Sequence, residues 1–314
     1  MYDDMINAQA FYASRHGHPL EDLLLLHKAA RERGDACMFL AGGSHFDNKH
    51  ILATGDRWDP RAMYDRETTG TAAAQYASLM YPPRAVKDVA FWLCRMISDQ
   101  GMKLTVLNAA VHDSTLADKK SGLNDHDQFI RDNLRHGDIL AVSIGNDAIL
   151  RPSLRAAVAM AGLLCSPATL MDAEWAPGLD YFRRSFKDDL EDYVRKIMTR
   201  VTATQSGPPV TVLVCTPFFP DETPTGGNAQ RTLSLLGYNH FPRRLQSVIR
   251  KLHELGTTEI DIPGTRTIPV ALFEALDGKN TNMYVHRVEP SVEGGRAIAK
   301  VLHEVCSAIT SSSG

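Results

Sequence analysis

The sequence predicts an α/β fold: a three-layer sandwich in which a parallel sheet of five strands lies between helices. Three observations carry that expectation. Short apolar runs of strand length recur five times, at residues 38–41, 103–108, 138–143, 210–215 and 267–271. They are too short for helices, and their apolar character suits strands buried on both faces. Segments of helical periodicity separate them, and that alternation is the pattern of a parallel sheet covered on both sides. No internal repeat, low-complexity tract or composition shift divides the 314 residues, so they read as one large domain.

Residues 1–36 read as helical, with an apolar patch at 23–26 and a charged face at 28–33. Lying ahead of the first strand, they form an N-terminal extension, 1–34, that packs on the sheet rim or meets a protein partner. The main domain runs from 35 to 310, and the serine-rich tail 311–314 is expected to fray. A polar stretch with Trp58, Pro60 and Arg61 follows the first strand. Thr68-Thr69-Gly70-Thr71 then leads into an element at 72–79 that Pro82-Pro83 ends. Residues 85–101 read as an amphipathic helix closed by glycine, and 125–134, 154–165 and 181–201 as further helices. Gln205-Ser206-Gly207-Pro208-Pro209 is a breaker cluster before the fourth strand, and 217–227 is a Pro/Gly-rich loop. Residues 242–255 and 292–309 supply the last two helices, with 236–239 read as a helix end and turn.

Composition narrows the function. With 44% apolar and 23% charged residues and a formal net charge of −3, the chain is ordinary globular protein. No basic block suits nucleic acid or a membrane surface. No run reaches the roughly 18 apolar residues of a membrane span; residues 156–165 read as a buried helix. Met1-Tyr2-Asp3-Asp4 carries two acids and no apolar leader core, so no signal peptide is read. Five widely spaced cysteines suit small buried hydrophobes in a reducing compartment, cytosol or organelle interior. No paired Cys/His spacing suggests zinc.

The chemistry gathers on the carboxyl edge of the sheet, where open α/β sheets place ligands. The first strand breaks at Gly42-Gly43, and the first side chain after the break is the Ser44 hydroxyl. By itself this is also an ordinary strand-to-helix turn with a capping serine. After the second strand come His112 and Asp113. After the third comes Ile144-Gly145-Asn146-Asp147, a neutral amide donor at the sheet mouth that suits an oxyanion or caps a turn. Before the last helix stands His286-Arg287-Val288-Glu289-Pro290. His45, His50, Asp47 and Asn48 read as packing or as support of the turn.

In that order these blocks resemble the SGNH (GDSL-type) hydrolases, a flavodoxin-like α/β family of esterases, lipases and carbohydrate acetylesterases. Gly42-Gly43-Ser44 matches the family's Gly-Asp-Ser, Ile144-Gly145-Asn146-Asp147 approximates Gly-x-Asn-Asp, and residues 286–290 fall on Asp-x-x-His-Pro. The resemblance spans roughly residues 35–309. It implies that Ser44 is the nucleophile and that its N–H and the Asn146 side chain are oxyanion donors. Gly43, Gly145 and Asp147 would line the pocket; His112 and Asp113 read as pocket lining and a substitute base, or as ordinary loop polarity. The substrate would be a small ester, with no metal or organic cofactor.

Two departures stand out. Gly43 replaces the family's aspartate, and Glu289 occupies the place of the histidine, with His286 three residues earlier. Glutamate, with a pKa near 4.3 against about 6.5 for histidine, is the poorer base at neutral pH. The second-block glycine also lacks a clear match in residues 109–114. Hydrolases that lose a triad member keep about 10³–10⁴-fold catalysis over water. Two expectations therefore stand: a weakly active serine esterase with Glu289 or His286 as base, or a catalytically inactive member serving as a structural or binding subunit.

Overall fold

A computed structural model describes residues 5–54, 60–144, 153–167, 176–203, 207–227 and 229–311. Five parallel strands form the central sheet: β1 (Ala36–Gly42), β2 (Leu104–Asn108), β3 (Ile139–Ser143), β4 (Val210–Thr216) and β5 (Thr265–Ala271). Their spatial order is β2-β1-β3-β4-β5, the flavodoxin-like order that the resemblance implies. The main helices are α1 (Leu20–Glu32), α2 (Val89–Asp99), α3 (Asp125–Asn133), α4 (Leu154–Cys165), α5 (Leu190–Met198), α6 (Pro242–Leu255) and α7 (Val292–Ser311).

Strands β1 to β4 bury the side chains of both faces, since successive residues point to opposite sides; β5, at the sheet edge, departs from that expectation, with Arg266 and Pro269 exposed. On β1, Met38 meets Cys306 of α7, sulfur to sulfur at 3.7 Å. The next residue, Phe39, stacks edge-on against Phe129 of α3, ring centres 6.0 Å apart. Both layers are thus sealed from one strand. Ile6, Phe11, Leu23 and Leu26 belong to the same core as the sheet, so the N-terminal segment is packed into it. A second apolar cluster joins α4, the short helix Leu179–Arg184 and α6 through Met160, Phe182 and Leu252. Among the described residues no helix is long and apolar enough to cross a membrane.

Several elements differ from expectation. Residues 5–34 hold two helices, Ala8–Ala13 and α1, parted by a turn at Gly17, whose φ is 77°. Residues 84–86 are a short strand paired with Thr69–Thr71, and α2 starts only at Val89. The reason is Asp88, whose carboxylate accepts from the Phe91 N–H at 2.8 Å and sets the helix start there. The element at 72–79 is a four-residue helix, Ala74–Ala77. The long helix begins at Leu179 and contains a π-turn at Ser185–Asp189.

Candidate functional site

The Ser44 turn is shaped by close packing at the sheet's carboxyl edge. Gly42 and Ser143 form the last rung between β1 and β3. Gly42 has φ 122°, and a Cβ there would lie 2.1 Å from the Ser143 carbonyl oxygen, so only glycine fits. Gly43 donates to the Ser143 carbonyl at 3.1 Å, and its own carbonyl accepts from Phe46 and Asp47 at 3.2 Å each. The chain thereby reverses tightly around Ser44. Ser44 is half-buried, and among the described residues neither its hydroxyl nor its N–H makes a hydrogen bond.

Beneath the turn lies a buried ion pair. Asp47 and Lys49 are 1% and 0% exposed and bonded to each other. The same carboxylate accepts from the backbone N–H of Gly17 at 2.8 Å and of His112 at 2.7 Å. Burial works to raise the Asp47 pKa, but the Lys49 ammonium and the donors around it hold the carboxyl below its usual value. Asp47 therefore ties three chain segments together as an anion: the N-terminal turn, the Ser44 turn and the loop after β2. Burial, aided by Lys49, pushes the neighbouring His18 down to about 3, so it stays neutral.

That loop makes no donor available from its first residues. Ala109 N–H donates to the Leu40 carbonyl at 3.0 Å, Ala110 to Asn108 Oδ1 at 3.2 Å, Val111 to the Gly42 carbonyl at 3.0 Å and His112 to Asp47. Asn108 in turn donates to the Phe46 carbonyl at 2.7 Å. The unmatched second-block glycine thus corresponds to a loop whose amides support the turn. His112 is buried, with Nδ1 3.2 Å from the Asp47 carbonyl, and burial lowers its pKa. Asp113 has φ 63° and pairs with Arg15 at 3.7 Å.

The segment before α7 forms a small hairpin, with Tyr284 and Val285 paired to Pro290 and Glu289. Asn48 Nδ2 donates to the Pro290 carbonyl at 2.7 Å, which ties the Ser44 turn to this hairpin. A second tie is aromatic: the His45 ring lies 4.5 Å from Phe218, itself 6.0 Å from Tyr284. Ser44, the loop after β2, the loop after β4 and the hairpin therefore meet at one edge, and Gly145, Asn146 and Asp147 lie outside the described residues.

Within the hairpin the candidate bases differ. Glu289 is buried on the second strand, while His286 is exposed at the turn. Neither hydrogen-bonds to Ser44. His45 is buried as packing, its Nδ1 sharing a 2.7 Å hydrogen bond with Ser143 Oγ, and burial pushes its pKa down to about 3.

In sequence the chain matches no protein-family model and no curated protein. Among solved structures it is similar to the acetylxylan esterase Axe2 from Geobacillus stearothermophilus, at 13% identity and TM-score 0.39, covering 86% of this chain and 93% of that one. An extracellular lipase from Streptomyces rimosus gives 12% and 0.38, over 86% and 99%. A phospholipase A1 from Streptomyces albidoflavus gives 11% and 0.40, over 87% and 99%.

Sequence reasoning missed two parts of the site. Lys49 stands at the start of a short helix, Lys49–Thr54, where a lysine ordinarily reads as solvated. Its proximity to Asp47 was the available signal. Arg287 is fully buried, and nothing in its charged neighbourhood of sequence marks it as interior.

Proposed function

We propose that the chain is a serine ester hydrolase of low turnover, acting on a small acyl or acetyl ester through Ser44. One observation carries this: among the described residues nothing bonds the Ser44 hydroxyl or N–H, whereas the amides of Gly43, Phe46 and Asp47 and of residues 109–112 are all engaged. An unspent N–H beside an unspent hydroxyl is what a developing oxyanion and its nucleophile need. In the reaction Ser44 Oγ attacks the ester carbonyl, and the alkoxide oxygen rests on the Ser44 N–H and the Asn146 amide. The Ser44 proton passes to Glu289 or His286 and on to the leaving alcohol; water then releases the acid. Low turnover follows because among the described residues no base contacts Ser44, and an unassisted serine is a weak nucleophile.

The test is hydrolysis of a short-chain acyl ester together with labelling by a fluorophosphonate probe. Labelling at Ser44 and loss of both signals in Ser44→Ala are expected; equal rates in the variant would refute the proposal. The second reading, an inactive binding subunit, is favoured by the outward position of His286. It predicts no label on Ser44 and a stable complex with a partner.

A further inference from the structure

We propose that Arg287 is a positioning residue for the Ser44 site, and that its anchorage holds the His286 imidazole away from the Ser44 hydroxyl. The inference rests on the reading of Ser44 as nucleophile. Arg287 is fully buried at the hairpin turn. Its Nε and Nη2 donate to the Asp221 carbonyl at 3.0 and 2.8 Å, and Nη1 donates to Gln230 Oε1 at 2.7 Å and Asn239 Oδ1 at 2.8 Å. The guanidinium lies over the Tyr238 ring, 5.8 Å from its centre, and the Tyr238 hydroxyl donates to the Pro220 carbonyl at 2.6 Å. The backbone joins in, because the Asp221 N–H donates to the Arg287 carbonyl at 2.8 Å. Side chain and main chain of one residue thus grip the loop after β4.

The turn held this way is strained. His286 and Arg287 have φ of 52° and 73°, values that crowd the Cβ of any residue but glycine. Such conformations persist where the surroundings over-determine them, and here the acceptors of Arg287 do so. With Arg287 drawn inward, its neighbour His286 is left exposed. The histidine's Cβ abuts Gly227, where an added Cβ would come within 2.6 Å. A looser anchor lets the turn relax toward ordinary φ and lets the imidazole sample the mouth beside Ser44. There it would take the Ser44 proton as Oγ attacks. With a fluorophosphonate the O–P bond forms, the P–F bond breaks and fluoride leaves. The titratable groups on the elements gripping the turn are Asp221, Glu222 and Tyr238, with Tyr284 and Glu289 on the hairpin itself.

Two variants test this. Asn239→Ala removes one acceptor without altering the hairpin, and Arg287→Lys keeps the charge but gives up the fork. In both, Ser44 labelling between pH 5 and 9 is expected to accelerate about fivefold or more. Adding His286→Ala should abolish the gain. A rate equal to that of the unaltered protein, or a gain that survives His286→Ala, overturns the proposal. Failure of the Ser44 reading looks different: every protein then labels no faster than Ser44→Ala. In that event the NMR titration of His286 decides the role of Arg287. An altered shift and midpoint in both variants upholds it, and identical ones overturn it.

Discussion

Asp88 offers a sharp test of the buried charges beneath the Ser44 turn. It caps α2, is almost fully buried, and faces a small cavity lined also by Tyr12, His18, Tyr76, Cys94 and Asn108. Burial raises its pKa from 3.8 to about 7, against the pull of the Phe91 N–H and of Lys49. The folded protein therefore binds a proton at Asp88 that the unfolded chain has released. Its contribution to stability is whole below pH 3.8 and is lost as pH rises through about 7. At about 1.4 kcal/mol for each pH unit in that window, the loss reaches roughly 4 kcal/mol. Asn at this position keeps the helix cap and carries no charge. Urea unfolding of the wild type and Asp88→Asn across pH 5–8 reads the difference. The variant should gain on the wild type as pH rises, by about 3 kcal/mol between pH 5 and 8. Parallel stability curves for the two proteins would refute the reasoning.

Two further outcomes follow from the same edge of the sheet. Lys49→Met leaves the buried Asp47 carboxylate without its cation; it should cost about 3–5 kcal/mol in chemical denaturation and, under the proposed function, slow Ser44 labelling. Gly42→Ala drives a Cβ into the Ser143 carbonyl and should cost about 3 kcal/mol or more. Gly34→Ala, with similarly positive φ but open space around it, should cost only about 1–2 kcal/mol by the same measurement.

The positions of Ser44 and the hairpin at one edge were legible from local pattern. An apolar run of strand length ended by Gly42-Gly43 reads as a buried strand leaving the sheet, and parallel strands all end on the same side. Helix starts were less legible where a capping side chain decides. Asp88 sets the beginning of α2, yet an aspartate within a run of helical periodicity gives no sign that it faces inward. Likewise Leu236-Gly237-Tyr238-Asn239 does end a helix, with φ 70° at Gly237, but its role as the seat of Arg287 depends on residues nearly fifty positions away.

By itself, then, the sequence determined the strand–helix alternation, the central sheet and the serine at its mouth, because these follow from periodicities of two and of about 3.6 residues and from where glycine must stand. Only the tertiary structure decided which charges are interior. Asp47 and Lys49 are buried because Gly17 and His112 supply N–H donors from distant segments, and Arg287 because the loop after β4 supplies carbonyl and amide acceptors. A charged side chain leaves water only where such partners converge, and convergence of distant segments is a property of the fold.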